Sequence, residues 1–438
     1  MPPIHLSTIL VKTPSQLLTQ LSHLSTKYGG NGHTILFALS ANFSRPEDLQ
    51  AAVTSLTTFN SGSRKGKEKD SGHVLGCLTD SFSASSFRSA SRESLLSCAV
   101  GVFDSATCVP FRSTLASREQ PQVGRWHAFR KGDEVGKDES ANVDWENVGK
   151  GPVNWEDIWN QAESSAHPRR IQTLLTLSSP HPDALTSTFS EYLNKQATAS
   201  SLTLIAAPTH FITGRGVTLF MDGEILGDGA IGLAFLRNEG QTEPPTWKSE
   251  FLGARKLSNS MTITSREGNM INALDDANPT RLLLDALETA GLGAARESQA
   301  AGSAFKDNEQ FALGVVGPSG DVTRTFKITA GDPSSRGGSL SLDAPRAPDV
   351  GTMVQFVHHP SDASLVVPPA LPGAKPAIGF LTVQEPDLTP DATVSSDKPQ
   401  ILQDTFLAPS TQGFIAQSSS EPSWTCSVPG GMVLLDCP

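Results

Sequence analysis

The stretch HTILFALSANF, residues 33–43, decides the fold class. Its apolar residues occupy both alternating faces as far as Leu39, which is the pattern of a central strand covered on both sides. The segment 45–59, RPEDLQAAVTSLTTF, follows with an apolar side at helical spacing, and HVLGCL at 73–78 reads as a second apolar strand. A strand, a helix and a strand in this order predict the α/β (α+β) class.

The length of the chain suits more than one domain. At roughly 150 residues per domain, 438 residues give two or three. We predict one domain at 1–250 and a second at 251–438, each a mixed, largely antiparallel β-sheet covered by helices. Residues 131–151 are acidic and contain glycine, which indicates an exposed insertion in the first domain. Ser/Gly/Pro-rich loops interrupt the second domain.

Three local signals place individual elements. Thr13 precedes a proline and a helical leucine stripe, so we expect the first helix of the fold to begin there. Asp222–Gly223 fits the two-residue type I′ turn of a hairpin. Asn278 is the predicted N-cap of the helix with the clearest start and stop signals in the chain: it begins with a proline and ends at a glycine.

Composition disfavours several classes of function. The net charge is −11, and the basic run 63–69 lies among serine and glycine, so we predict no nucleic-acid partner. No apolar stretch is long enough to cross a bilayer, and the start of the chain lacks the charged region followed by an apolar region that marks a secretory signal. We therefore predict no membrane partner. The protein is expected to be cytoplasmic. The Ser/Thr-rich start without acidic residues leaves a mitochondrial transit peptide as the alternative.

The residues that usually bind metals or cofactors are scattered. Five cysteines without a CxxC pair indicate reduced thiols rather than a disulfide framework or a zinc site. The adjacent His358 and His359 point to opposite faces of one strand, which makes them poor joint ligands of a metal. The chain also lacks GxSxG, HExxH and GxxxxGK[ST] motifs. We predict no cofactor, no metal and no catalytic activity.

Cys77 lies in the apolar strand 73–78, just before a loop rich in hydroxyl groups. A free cysteine in such a strand usually packs as a small hydrophobe. His73 shares its face but lies about 13 Å away, at a rise of about 3.3 Å per residue, which is too far for a catalytic base. Residues 79–81, Thr-Asp-Ser, follow at the carboxyl end of the strand, where ligands often bind in layered α/β folds. Pocket lining and covalent catalysis by the thiol are the two alternatives.

Arg324 shares one face of the predicted strand 322–329 with Val322, Phe326 and Ile328. A guanidinium cannot lose its proton to avoid the cost of burial, so it must pair with a carboxylate, a backbone carbonyl or an anionic ligand. An internal ion pair, or snorkelling at the strand end, is the structural interpretation. A fork for the carboxylate of a ligand is the functional one.

Three segments carry a family resemblance. They are Gly76-Cys77-Leu78-Thr79, SMTITSREGNMINALDDANPTRLLLDALE at 260–288, and TRTFKITAGDPSSRGGSLSL at 323–342. The first stands where the FIST family typically has a Gly-Cys-Ser/Thr-like stretch, and the second has a Gly-Asn turn, with Asn269, before a capped helix. The third is similar to that family's Arg-bearing strand. The chain thus resembles an N-terminal plus a C-terminal FIST domain, although the tail at 424–435 departs from the family's terminal Cys-Arg signature.

The resemblance implies an intracellular sensing module in signal transduction that binds a small ligand, such as an amino acid or an anionic metabolite. One alternative is a protein-interaction scaffold or ubiquitin-ligase substrate adaptor, with ubiquitin-ligase components as partners. We expect no F-box before the first helix, which departs from the adaptor arrangement. The second alternative is a thiol-dependent enzyme that uses Cys77. The residues assigned to ligand binding are Cys77, Thr79, Asp80, Ser81, Asn269 and Arg324.

Overall fold

The fold belongs to the α/β (α+β) class, as predicted. The computed structural model describes residues 3–59, 72–83, 94–113, 171–193, 199–237, 247–292, 310–331, 338–360, 367, 375–384, 398–419 and 421–437. Within these ranges the chain forms four β-sheets, most of whose strand pairs are antiparallel, together with helices on their faces. The acidic segment 131–151 lies outside the described residues.

Three of the sheets share one arrangement of four strands. A middle strand pairs with a parallel strand on one side and an antiparallel strand on the other, and an outer strand flanks the antiparallel one. Along the chain the order is outer, middle, parallel, antiparallel. The strands are β1 (His5–Val11), β2 (Thr34–Ser40), β3 (Val74–Thr79) and β5 (Ser94–Phe103) in the first sheet; β6 (Cys108–Ser113), β7 (Ile171–Ser178), β8 (Ser200–Ile205) and β11 (Ala230–Leu236) in the second; and β12 (Trp247–Phe251), β20 (Ala377–Thr382), β22 (Thr405–Ser410) and β25 (Gly431–Asp436) in the third. We call these units the first, second and third repeats.

Two of the repeats contain a hairpin that pairs with the sheet of another repeat. The hairpin after β8, formed by β9 (Leu219–Met221) and β10 (Glu224–Leu226), pairs with β3 in the first sheet. The hairpin after β22, formed by β23 (Phe414–Ser418) and β24 (Glu421–Cys426), pairs with β8 in the second sheet. Each hairpin thus extends the sheet of the preceding repeat. The first hairpin has the predicted type I′ turn, with positive φ at Asp222 and Gly223.

Helices cover the outer faces of the first two sheets. Helices α1 (Pro14–Tyr28) and α2 (Pro46–Thr57) pack on the first, and α3 (Asp183–Leu193) packs on the second. The first helix begins at Pro14, as predicted, but the strand β1 that precedes it and pairs with β5 was not predicted. β4 (Phe82–Ser83) and β21 (Gln400–Gln403) extend the first sheet, and α4 (His210–Thr213) is a single turn after β8.

A closed ring of strands is inserted into the third repeat, between β12 and β20. Its strands are β13 (Arg255–Lys256), β14 (Met261–Glu267), β15 (Met270–Leu274), β16 (Gln310–Val316), β17 (Val322–Gly331), β18 (Leu340–Leu342) and β19 (Met353–His359). β19 pairs with both β14 and β16, which closes all of these strands except β13 into a ring. Helix α5 (Pro279–Thr289) belongs to this insert, and Asn278 Oδ1 accepts hydrogen bonds from Thr280 N and Arg281 N as the predicted cap.

One buried cluster joins the inner faces of the three sheets and the ring; among its members are Leu75, Leu204, Phe380 and Phe356. The predicted domain boundary near residue 250 falls inside β12. Strands from both predicted domains share sheets, because β21 pairs with β1 and β23 pairs with β8.

Candidate functional site

The carboxyl ends of β3, β7 and β8 meet at a seam between the first and second sheets. Just after β8, the Ala206 N–H donates to the Ser178 carbonyl at 2.8 Å, and the Ala207 N–H donates to the Leu78 carbonyl at 3.2 Å. Parallel strands end at the same edge of a sheet, so the loops that follow them are neighbours. This edge is where open α/β sheets bind ligands.

A small cavity opens at the carboxyl end of β7. Its volume of about 20 Å³ is room for one water molecule or for the end group of a ligand. Its lining includes Ser113, Ser178, Ser179, His181, Ala184 and Leu185. The cavity therefore lies between the edge of the second sheet and the start of helix α3.

Ser179 contributes a hydroxyl group to the lining of this cavity. Its side chain is 5 % exposed, and its N–H donates to the Gly229 carbonyl at 2.8 Å. The neighbouring Ser178 hydroxyl is already used, since it donates to the Ser179 carbonyl at 2.9 Å. The Ser179 hydroxyl forms no hydrogen bond within the part of the chain that the structure describes. Its oxygen is not among the fully buried polar atoms that lack a partner, so it is reached through the cavity and can bond there to a water or a ligand.

The start of helix α3 adds backbone donors to the cavity. The Thr186 N–H donates to the Pro182 carbonyl at 2.9 Å, and the N–H groups before it have no intrahelical acceptor. Ala184 and Leu185 line the cavity, and no described residue from elsewhere in the chain accepts from their N–H groups. These donors and the helix dipole favour an anionic group. Asp183, exposed in the same turn, is complementary to a cationic group.

Cys77 lies in the common core and not in this cavity. In β3 it is beside Ala38 and Leu219. Leu204 in β8 and Ala408 in β22, the parallel strands of the other repeats, belong to the same buried cluster as Cys77. Burial, helped by the Asp80 charge, raises the pKa of the Cys77 thiol, so the thiolate is strongly disfavoured. The packed-thiol interpretation therefore fits this position best.

Residues 79–81 lie at the seam, as expected for the end of β3. Thr79 is fully buried, and its hydroxyl donates to the Asp80 carbonyl at 3.2 Å. The Asp80 carboxylate accepts hydrogen bonds from Thr411 N and Oγ1. Ser81 is 8 % exposed. These contacts join the first repeat to the third, and none of the three residues lines the cavity beside Ser179.

Asn269 and Arg324 lie on the inserted ring, apart from the strand ends. The Asn269 side chain donates to the Leu342 carbonyl at 3.0 Å from the turn between β14 and β15. Arg324 is half-buried in β17 opposite Val315. It forms no hydrogen bond or ion pair with the described residues. The structure thus groups residues 77–81 in one strand and loop and does not bring Asn269 or Arg324 to them.

Other signatures of function are absent from the described part of the chain. No group of three or more His, Cys, Asp or Glu side chains there is arranged to hold a metal ion. Among the described helices, none combines the length and the apolar character needed to cross a membrane. All five cysteines are buried and unpaired.

Sequence reasoning missed the residues of the cavity. The signal is LSSPHPDAL at 177–185, in which two serines end a strand and a Pro-His-Pro turn leads into a helix. None of these residues was among those assigned to ligand binding from the sequence. Comparison with known proteins finds no family model, no curated protein and no solved structure that matches the chain.

Proposed function

We propose that this protein is a non-enzymatic module that binds a small amino-acid-like or anionic ligand, as the FIST resemblance implies. The observation that carries the proposal is the Ser179 hydroxyl, which lines a cavity at the start of α3 and has no hydrogen-bond partner within the described residues. The site takes the carboxylate of the ligand, and the remainder of the ligand extends to the mouth, where His181 is exposed.

A carboxylate fits this arrangement chemically. It accepts from the Ser179 hydroxyl and from the N–H groups of Ala184 and Leu185, and it gains from the helix dipole. Asp183 in the same turn disfavours a ligand with several negative charges and favours one that also carries an ammonium group. An amino acid meets both requirements, which is why it is the preferred ligand class.

The test uses glycine as the smallest amino-acid probe, with acetate and methylammonium as its two halves. Tiny ligands gain at most about 1.5 kcal/mol per non-hydrogen atom, so titrations run to millimolar concentration. Calorimetry and thermal unfolding are recorded for the wild type, for Ser179→Ala, and for Ser187→Ala, an exposed serine on the same helix.

Glycine is expected to bind and stabilise the wild type and Ser187→Ala equally, and acetate more weakly. A hydrogen bond to a charged group is worth about 1.5–3 kcal/mol, so Ser179→Ala should weaken glycine binding roughly 10- to 150-fold. Failure of all three probes to bind the wild type, or equal binding of glycine by Ser179→Ala, overturns the proposal.

A protein-interaction scaffold is a second candidate, favoured by one surface feature. Phe211 on α4 is fully exposed, and Ile212 beside it is 48 % exposed. Hydroxyl–hydroxyl contacts of Thr218 with Thr209 and Thr213, both at 2.7 Å, hold this turn from below. A rigid exposed aromatic side chain suits insertion into the pocket of a partner. The scaffold predicts partners in affinity purification that Phe211→Ser loses and Ser187→Ala keeps; equal recovery with both variants counts against it.

A further inference from the structure

The side chain of Gln417 links the hairpin of the third repeat to helix α3 of the second. Gln417 lies in β23, which is paired with β8, and it is 2 % exposed. Its Nε2 donates to the Thr186 carbonyl at 3.1 Å and to Ser190 Oγ at 2.9 Å. One buried amide thus bonds to two successive turns of α3.

These two turns begin at the cavity. Thr186 is bonded through its N–H to Pro182, which lines the cavity beside Ala184 and Leu185. Ser190 Oγ also donates to the Thr186 carbonyl, at 3.0 Å, so this carbonyl accepts from two side chains as well as lying in the helix. Gln417 therefore fixes α3 one turn beyond its free N–H groups.

The same segment of the third repeat holds the strand side of the cavity. Ser410 Oγ donates to the Ile205 carbonyl at 2.6 Å, and the Ile205 N–H donates to the Gly413 carbonyl at 3.1 Å. The next residue, Ala206, bonds to the carbonyl of Ser178 in the cavity wall. Residues 410–417 thus contact both walls, the helix through Gln417 and the strand ends through Ile205.

The identity of Gln417 is unfavourable for packing alone. Its Oε1 is buried and has no hydrogen-bond partner within the described residues. Leaving a buried carbonyl oxygen unpaired costs free energy, which methionine or leucine in the same space would avoid. The amide is therefore explained by what its Nε2 holds, which is α3.

We propose that Gln417 is a positioning residue for the ligand site: the third repeat sets the distance between the start of α3 and the Ser179 hydroxyl, and so completes a site that belongs to the second repeat. This inference rests on the proposed function for the role of the site, but the positioning of α3 stands on its own contacts.

The experiment compares the wild type, Gln417→Met and Gln412→Met. Methionine keeps the length of the side chain and removes the donor, and Gln412 is an exposed glutamine on the same segment. Ser190→Ala is the second variant, which tests the contact from the helix side if Gln417→Met folds poorly. Hydrogen exchange of residues 183–190 is measured without ligand, and glycine affinity is measured by calorimetry.

Gln417→Met should speed exchange in residues 183–190 about 5- to 150-fold, the factor that corresponds to the loss of both hydrogen bonds from Nε2, and should leave β8 unchanged. It should weaken glycine binding by a similar factor, whereas Gln412→Met matches the wild type. Unchanged exchange in α3 overturns the positioning role. Faster exchange with unchanged glycine affinity overturns the coupling to the site. If the wild type binds no probe, the proposed function fails, and exchange alone still decides whether Gln417 positions α3.

Discussion

The carboxylate of Asp80 accepts two hydrogen bonds from Thr411, at 2.6 Å from its N and 3.0 Å from its Oγ1. Asp80 follows β3, the strand parallel to the middle strand in the first repeat, and Thr411 follows β22, the equivalent strand of the third repeat. Asp80 therefore closes the seam between distant parts of the chain. This contact explains why an acidic residue follows β3 without a ligand being needed to account for it.

Asp80→Ala should lower the free energy of unfolding by about 1.5–3 kcal/mol, because hydrogen bonds to a charged group are lost. Thr411→Val removes only the hydroxyl and should cost about 1 kcal/mol. Urea denaturation measures both, and the double variant should lose less than the sum of the two. Asp285→Ala, at an exposed position on α5, is the control and should be near neutral. Additive losses would show that Asp80 and Thr411 do not act as a pair.

Cys77 should behave as a core residue and not as a nucleophile. In the native protein iodoacetamide should label it slowly, and labelling should become fast only in urea, because the thiol is fully buried and its pKa is raised. Peptide mass spectrometry identifies the labelled site. Fast native labelling at neutral pH would instead support the thiol enzyme.

Substitutions at Cys77 separate packing from chemistry. Cys77→Ser buries a hydroxyl among apolar side chains and should cost about 1–3 kcal/mol of unfolding free energy. Cys77→Ala leaves only a small void and should cost less. Glycine binding at the Ser179 cavity should be the same in both variants, and its loss in Cys77→Ala alone would place the thiol in the site.

Local patterns predicted many elements of the fold. β2 is buried along its whole length, as the apolar run around Leu39 predicts. The Asp222–Gly223 turn and the Asn278 cap also match, because each depends on the chemistry of two or three adjacent residues. Such signals are complete within a short window of sequence.

The pairing of a hairpin with the sheet of another repeat could not be predicted from local sequence patterns. β9 follows β8 in the sequence but pairs with β3, and no local pattern records which edge a hairpin will extend. The site has the same limit. Ser179 belongs to the proposed site because its hydroxyl has no partner within the described residues beside the start of α3, and the contact that holds α3 comes from Gln417, more than two hundred residues away.

His359 should make stability depend on pH. It is 4 % exposed at the end of β19, and burial, helped by His358, lowers its pKa to about 4 from the ordinary value of 6.5. Between pH 6.5 and pH 4, His359 therefore binds a proton in the unfolded chain but stays neutral in the folded chain. The free energy of unfolding has its full value above pH 6.5, where His359 is neutral in both states. As the pH falls towards 4, proton uptake by the unfolded chain lowers this free energy by about 3 kcal/mol, at 1.36 kcal/mol per pKa unit.

Urea denaturation between pH 7 and pH 4 measures this effect. His359→Gln cannot take up the proton, so its stability should fall less steeply over that range than that of the wild type. His23→Gln, at an exposed position on α1, should keep the wild-type slope. Parallel slopes for the wild type and His359→Gln would show that other groups carry the acid sensitivity.

Arg324 tests the ligand fork that the sequence suggested. It is half-buried and forms no ion pair or hydrogen bond with the described residues, so Arg324→Ala should change the free energy of unfolding by less than about 0.5 kcal/mol. Arg266 on the same ring donates to Asp349 at 2.5 Å, and Arg266→Ala, the comparison variant, should cost up to about 1 kcal/mol. With the ligand bound at the Ser179 cavity, glycine affinity should be unchanged in both. A tenfold or greater loss of glycine affinity in Arg324→Ala alone would move the carboxylate site from α3 to the ring.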